Sequence, residues 1–372
     1  MRIICLQFAP QLGKPKENID KADDVLKHHG DLSGVDVLIL PELAFSGYNF
    51  PTLEAILPFL EPTKAGITTQ WAIKTATTLR CIVIVGYPEL ASPDAGLVTI
   101  PRNDQSSESG SKRRGHDGSL ASYHESLMKV ESAQQDVSTT TTPRPECYNS
   151  LITVSPNGSI ISHYRKSFLY YTDETWALEG SGFSTGSLHS LPLATLPPSH
   201  SVSQSTSELL SVVTQGICMD INPYKFQTPW ETFEFASHVV STNARMAIIS
   251  MAWLTHTTPE EWEVEMRERR EEVEITTLGY WVERFKPIAQ RLDGEPVIVV
   301  CANRTGVEGD ACYAGSSVVM RLGKGKVEIL GMLGRGEESL LDVRTEEEAK
   351  WRLQVAKKGE VDEAVNSAEG AS

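Results

Sequence analysis

Cysteine is sparse and scattered in this chain: six residues at positions 5, 81, 147, 218, 301 and 312 of 372, with no C-x-x-C pair. No histidine stands at zinc-ligand spacing from any of them, so no metal site is expected. Long apolar runs are missing too. No segment approaches the roughly 20 apolar residues that span a bilayer, and the chain opens on a strand-like segment instead of a signal peptide. Basic charge is in deficit, with 34 Lys and Arg against 49 Asp and Glu and a net charge of -15. That argues against a nucleic-acid binder, whose phosphate contacts need clustered Lys and Arg. Internal repeats, a G-x-x-x-x-G-K-[ST] phosphate loop and a Rossmann fingerprint after a strand are also lacking.

What is present is a 40% hydrophobic content, enough for one sizeable core, and a regular alternation of elements. A strand over about 2–9 is followed by a helix over about 17–29, a strand at 36–40, a helix at about 66–79 and the apolar run from Cys81 to Gly86. Short branched runs alternating with helical stretches define an α/β class. Cys5, Cys81 and Cys301 sit inside such runs and read as core. Residues 149–158 carry Ser155-Pro156-Asn157-Gly158 between two strand-like runs, and Asn-Gly supplies the positive φ angles of a hairpin turn. A Ser- and Pro-rich loop is expected over 184–208, a helix over 230–241, a long charged helix over 259–285, and closing strands near 297–301, 315–320 and 327–330. From about 91 to 148 the pattern gives way to Ser, Thr, Pro, Asp and Lys/Arg, an insert too polar to offset its ordering entropy. The expected organisation is one domain over 1–342, interrupted by that insert, and an acidic tail at 343–372 without order.

Three residues stand at the ends of apolar runs: Glu42 after Val37-Leu38-Ile39-Leu40-Pro41, Lys166 after Ile160-Ile161-Ser162-His163-Tyr164-Arg165, and Cys218 after Val212-Val213-Thr214-Gln215-Gly216-Ile217. They are a base, a cation and a nucleophile. A thiol attacking a carbonyl needs a group to take its proton and positive charge near the developing oxyanion, and these residue types supply both. Singly, each reads as easily as a solvated loop acid or a small core hydrophobe.

Together with their neighbours they resemble one family. Leu40-Pro41-Glu42-Leu43-Ala44-Phe45-Ser46-Gly47-Tyr48, His163-Tyr164-Arg165-Lys166 and Gly216-Ile217-Cys218-Met219-Asp220 occur in the order and context of the nitrilase (carbon–nitrogen hydrolase) superfamily. Gly216 to Phe226 and Ser250-Met251-Ala252-Trp253-Leu254 are similar to its fungal-type branch that deamidates polypeptide N-termini, with Asn222 where many other members carry Arg. The resemblance implies a four-layer α-β-β-α sandwich and a Cys thioester mechanism. Glu42 would act as general base and acid, and Lys166 with the Met219 N–H would hold the oxyanion. Glu174, eight residues after Lys166, matches a second acid of many members, positioning a water or Lys166; otherwise it is a solvated acid at a helix start. Asp220 either anchors the turn past the nucleophile or contacts substrate. Tyr170, Tyr171 and Trp253 are expected as pocket walls or plain packing.

By the same resemblance the substrate is an N-terminal Asn or Gln of a polypeptide, converted to Asp or Glu with release of ammonia and feeding the N-degron route. Asp173, Glu174 and Asp220 are the acids nearest the motif residues and are candidates to read the substrate's α-ammonium. No cofactor is required, because nucleophile, proton carrier and charge stabiliser are all side chains. A thiolate chemistry suits the cytoplasm, with the chain a monomer or homodimer. Rival readings are a small-molecule amidase of the ω-amidase or carbamoyl-β-alanine hydrolase type, and an inactive binding scaffold.

Overall fold

The computed structural model describes residues 1–96, 144–189 and 203–354. Its first large sheet has the order β15-β1-β2-β4-β5-β6. These strands are β1 (Arg2–Gln7), β2 (Val37–Ile39), β4 (Ile82–Gly96), β5 (Arg144–Val154), β6 (Ile160–Arg165) and β15 (Ser339–Arg344), with a short β3 (Glu61–Pro62) beside β4. The second has the order β16-β14-β13-β10-β9-β8-β7. Its members are β7 (Ser184–Gly186), β8 (Val213–Ile217), β9 (Met246–Met251), β10 (Val297–Asn303), β13 (Val318–Gly323), β14 (Lys326–Met332) and β16 (Trp351–Gln354). A small ribbon pairs β11 (Val307–Glu308) with β12 (Ala311–Cys312).

Alternation along β1 sets the layers, because successive side chains on a strand point to opposite faces. Ile3 and Cys5 join Val37, Ile39, Ile82 and Ile84 in one core with Ile248, Val300 and Val319 of the second sheet. Ile4 and Leu6 instead join Leu38, Val83 and Val85 in a core with Ala22 and Leu26 of α1 (Pro15–His28) and Trp71, Ala72 and Ala76 of α2 (Ile67–Leu79). Phe235, Trp281 and Ile288, from three helices at 234–241, 275–284 and 286–290, and Phe285 between the last two, pack in the core with the second sheet. The result is helix, sheet, sheet, helix, the expected four-layer α-β-β-α sandwich. Each large apolar side chain sunk between the layers contributes about 1.5–3 kcal/mol.

The parallel neighbours β1, β2 and β4, and likewise β8, β9 and β10, bring their carboxyl ends to the same margin of the sheets. Polar bonds pin one sheet on the other there. Ser250 Oγ donates to the Leu40 carbonyl at 2.8 Å, and the Glu42 N–H donates to the Met251 carbonyl at 3.4 Å. Further along the sheets, Ser162 Oγ donates to Gln215 Oε1 and Gln215 Nε2 to Thr153 Oγ1, each at 2.7 Å.

Several expectations are corrected. The charged stretch 259–285 is two helices, Pro259–Glu268 and Ile275–Arg284, because the intervening carbonyls of Arg270 and Glu272 are taken by the Gly336 and Arg335 N–H groups. The helix expected over 230–241 begins at Glu234, after a left-handed Phe233 (φ 46°). The loop expected over 184–208 holds β7 and the start of the helix Gln204–Ser211, with 190–202 outside the described residues. The insert expected at 91–148 is narrower: β4 continues to Gly96, β5 starts at Arg144, and 97–143 lie outside the described residues. Order also persists past 342, since β15 ends at Arg344 and β16 pairs with β14 (Trp351 opposite Ile329), leaving 355–372 outside the described residues. All six cysteines are buried and none forms a disulfide.

Gly86 on β4 lets that strand lie directly against the turn carrying Glu42. A Cβ at Gly86 would stand 2.7 Å from the Leu43 nitrogen and 2.9 Å from the Glu42 Cα. Gly86→Ala is therefore expected to cost about 1–3 kcal/mol of stability, measured by thermal or denaturant unfolding. An unchanged melting temperature would show that the turn yields without cost.

Candidate active site

Glu42 follows β2 across a tight turn in which Leu43 has φ 44°. The carboxylate is fully buried. Its Oε1 accepts from Lys166 Nζ at 2.6 Å and Asn149 Nδ2 at 2.7 Å, and its Oε2 accepts from the Ala252 N–H at 2.9 Å, just past the end of β9. Three donors from three different segments thus orient this carboxylate.

Lys166 lies one residue beyond β6, and its N–H is held by the Asn149 carbonyl at 2.8 Å. Alternation puts Tyr164 in the core between the sheets, while Arg165 on the opposite face grips Glu89 at 2.6 Å. The Lys166 ammonium is completely buried, with Glu42 on one side and Asp173 Oδ2 on the other, each at 2.6 Å. Burial alone would pull its pKa down, but the Asp173 and Glu42 carboxylates outweigh that and raise it, so the charge is permanent.

Cys218 opens a 3-10 turn, Cys218–Ile221, directly after β8 and takes φ 39°, a conformation costing a non-glycine residue about 1–3 kcal/mol. The thiol is almost wholly buried. Burial raises its pKa well above the ordinary value, Glu42 raises it further, and Lys166 and the Ala252 N–H oppose both. Burial and Glu42 thus favour the protonated thiol, and Lys166 and the Ala252 N–H favour the thiolate. Burial also raises the Glu42 pKa, against the pull of Lys166.

The turn is closed by Asp220, which is fully buried and makes four bonds. Its Oδ2 accepts from the Ile217 N–H at 2.7 Å and Tyr164 Oη at 2.8 Å; its Oδ1 accepts from the N–H groups of Ser167 at 3.0 Å and Phe168 at 2.8 Å. One carboxylate thus ties the nucleophile turn to the segment just after Lys166. Burial pushes its pKa up to about 6, with the Ile217 and Phe168 N–H groups opposing. Of its two readings the anchor is the one observed, and no oxygen is left to face a substrate.

Glu174 does not reach Lys166; its neighbour Asp173 does. On the one-turn helix Tyr171–Glu174, Asp173 points inward, accepting also from Asn149 Nδ2 at 3.0 Å, Tyr48 Oη at 3.3 Å and the Tyr170 N–H at 3.0 Å. Glu174 points outward, a third exposed, at 3.9 Å from Lys225 Nζ. Asp173, expected against substrate, is sealed with both oxygens occupied. Tyr170 lies partly buried against Tyr171, 5.1 Å between ring centroids, and Tyr171 is exposed against Phe226 at 6.0 Å. Trp253 is buried against Tyr280 and Trp281, with centroids at 5.1 and 5.9 Å, one residue past the Ala252 N–H that holds Glu42. Met219 is buried, its sulfur accepting from Asn222 Nδ2 at 3.3 Å. Asn149, Tyr48 and the Ala252 N–H are site groups that sequence reasoning missed. The only signal for Asn149 was a polar residue at the head of the apolar run to Val154. Among the described residues no group of three or more His, Cys, Asp or Glu has metal-binding geometry.

This arrangement defines a class. A nitrilase-superfamily amidase from Nesterenkonia AN1, solved as a cysteine-to-serine mutant, superimposes with a TM-score of 0.51 at 15% identity over 92% of this chain and 90% of that one. The fold is that of the nitrilase superfamily. A crystal structure of an N-terminal amidase with an Asn-Glu peptide superimposes with a TM-score of 0.67 at 19% identity, covering 96% of this chain and 99% of that one. The protein N-terminal amidase of Schizosaccharomyces pombe is 29% identical over 355 residues, 92% of this chain and 98% of that protein. No family model matches the chain. The resemblance to the superfamily, and within it to the protein N-terminal amidases, holds over nearly the whole length.

Asp220→Asn keeps shape but turns one acceptor oxygen into an NH2 facing two donors. The expected cost is about 1–3 kcal/mol for each buried donor left unmet, together with slower alkylation of Cys218 by an amide-mimicking electrophile. Melting curves and labelling kinetics check both. If neither moves, Asp220 does not hold the two segments together.

Proposed function

We propose that this chain is an amidohydrolase that deamidates N-terminal Asn and Gln of polypeptides to Asp and Glu, within a single hydrolase domain over 1–342 that β16 extends to 354. The observation that carries the reading is the buried cluster in which Lys166 bonds Glu42 at 2.6 Å and both charges act on the Cys218 thiol.

In this reading the Cys218 sulfur attacks the side-chain carboxamide carbon while Glu42 takes the thiol proton. The oxyanion is met by Lys166 and the Met219 N–H. Glu42 returns the proton as the C–N bond breaks, ammonia leaves and a thioester remains. Glu42 then takes a proton from water as the water oxygen joins the acyl carbon, and as the C–S bond breaks it passes that proton to the leaving sulfur, giving the carboxylic acid, the restored thiol and an ionised Glu42. Because Asp173 holds Lys166 from the far side, the ammonium stays charged through both half-reactions.

The relatives named for N-terminal amidase activity, including one crystallised with an Asn-Glu peptide, support a polypeptide substrate. With Asp173 and Asp220 saturated by internal bonds, Glu174 is the acid of the three with an accessible carboxylate, and we assign it to the substrate's α-ammonium. A reduced thiol nucleophile suits the cytoplasm, where the product would enter N-degron turnover, and the chain would act as a monomer or homodimer without nucleic acid. No helix among the described residues is long and apolar enough to cross a membrane.

The test is ammonia release from peptides differing only at residue one, with Nα-acetylated forms, glutamine, asparagine and carbamoyl-β-alanine as controls. Asn- and Gln-leading peptides are expected to react and their acetylated forms not to. Equal rates on acetylated peptides would reject ammonium reading, and turnover of the small amides alone would move the assignment to a small-molecule amidase. Cys218→Ala should abolish release, and Lys166→Met should lower kcat by about 10²–10³-fold. Glu42 must be ionised to accept the thiol proton and burial raises its pKa. Activity is therefore expected to fall, as pH is lowered, above the pH of about 4.3 where a free Glu titrates. A profile flat down to that pH would remove Glu42 as the base.

A further inference from the structure

Three charged side chains share the sealed site with a single neutral amide. Glu42 and Asp173 are two carboxylates served by one ammonium, Lys166, all completely buried. Two carboxylates on one cation leave an excess negative charge in a medium that solvates it poorly, and such a pair ordinarily relieves itself by keeping a proton on one member. For Glu42 that proton would be fatal to its work as a base.

Asn149, on β5, bonds both carboxylates through its side chain and the Lys166 backbone through its own backbone. Its carbonyl accepts from the Lys166 N–H at 2.8 Å, and its Nδ2 donates to Glu42 Oε1 at 2.7 Å and to Asp173 Oδ1 at 3.0 Å. The amide orientation is set by chemistry, since the flipped form would aim an oxygen at two carboxylates. Its own Oδ1 is buried with no hydrogen-bond partner among the described residues. An unmet buried acceptor costs about 1–3 kcal/mol, so as mere packing an amide here is worse than an apolar residue of the same size. What the amide offers in return is its pair of N–H donors.

We propose that Asn149 is a positioning residue that keeps Glu42 ionised, its two amide N–H groups bridging Glu42 and Asp173 around one lysine. The titratable groups that act on Glu42 are Lys166 after β6, Asp173 on the one-turn helix, Tyr48 from the segment after β2, Cys218 after β8 and Tyr313 after β12. Of these, Lys166 alone is a cation, and its two hydrogen bonds to the acids are already made. Without the amide donors the excess charge is relieved by protonation, and Glu42 carries a proton to higher pH. The inference goes beyond the amidase reading and rests on it only for the role of Glu42 as base.

The test uses the full chain and needs no substrate: the rate of Cys218 alkylation by iodoacetamide against pH, in wild type, Asn149→Ala and Asn149→Ser, with Cys218→Ala as the labelling background. The acid limb is expected to move to higher pH in both variants, with labelling reduced at least several-fold at neutral pH and recovering as pH rises. Ammonia release on an active peptide should follow the same shift. A uniform loss at every pH, with the limb in place, would overturn the proposal, since a packing defect lowers the rate without moving a titration. So would an unchanged profile in variants whose melting curves show them folded. Should Asn149→Ala fail to fold, Asn149→Ser, which retains a short hydroxyl donor, still reads the limb. Wild-type labelling with no ammonia release from any amide would instead count against the amidase reading and leave the shift in the alkylation profile to decide the role of Asn149.

Discussion

The buried ammonium of Lys166, held at 2.6 Å by Glu42 on one side and at 2.6 Å by Asp173 on the other, is the constraint around which the rest of the site is arranged. Removing an ion from water costs several kcal/mol, recovered only when partners are close and well aligned. Two carboxylates provide that closeness, and each must then be satisfied in its turn. Asn149, Tyr48 and the Tyr170 N–H complete Asp173; Asn149 and the Ala252 N–H complete Glu42. The donors come from elements far apart in the chain, so the site forms only when both sheets are in place. Farther out, the loop holding Tyr48 is fastened by Glu308, which accepts from the Tyr48 and Asn49 N–H groups at 3.0 and 2.9 Å and from Tyr313 Oη at 2.8 Å, and is paired with Arg304.

The parts of this that could be read beforehand are those written into local pattern. Glu42, Lys166 and Cys218 each end a short branched run, and a strand end is where a side chain leaves the core for a cavity margin. The alternation of Ile3, Ile4, Cys5 and Leu6, apolar at every position, marks a strand buried on both faces, and that is how the two cores divide it. The first helix, expected at about 17–29 and found at 15–28, and the hairpin around Ser155 to Gly158 also followed from spacing and turn chemistry.

What escaped has tertiary causes. Asp173 and Glu174 are adjacent acids on one turn of helix, and nothing local tells which faces Lys166. The shorter side chain does, because the Tyr170 N–H and Tyr48 Oη already converge there. The break between residues 268 and 275 is imposed by backbone donors of Arg335 and Gly336, over 60 residues away in sequence, while the charge pattern runs on across it. Trp351 to Gln354 reads as part of an acidic tail, yet pairs as an edge strand because β14 offers an open ladder. Asn149 reads as the polar head of a strand; its importance appears only when two carboxylates from other segments are placed against its amide.

Stability and chemistry draw here on the same contacts. The turns at Glu42 and Cys218 each hold a residue in left-handed backbone, Leu43 at φ 44° beside Glu42 and Cys218 itself at φ 39°. Each strained turn is secured by a feature with no slack. Gly86 lacks the Cβ that would strike the first turn, and Asp220 spends all four of its hydrogen bonds on the second and its neighbour. Relaxing either turn would recover about 1–3 kcal/mol of strain at the expense of the bonds that hold it, the Ala252 N–H on Glu42 for the first and the Asp220 bonds for the second. A substitution that stabilises the free turn therefore works against the arrangement, and the strain persists because the bonds that oppose its release are the bonds that hold Glu42 and the Cys218 turn in place.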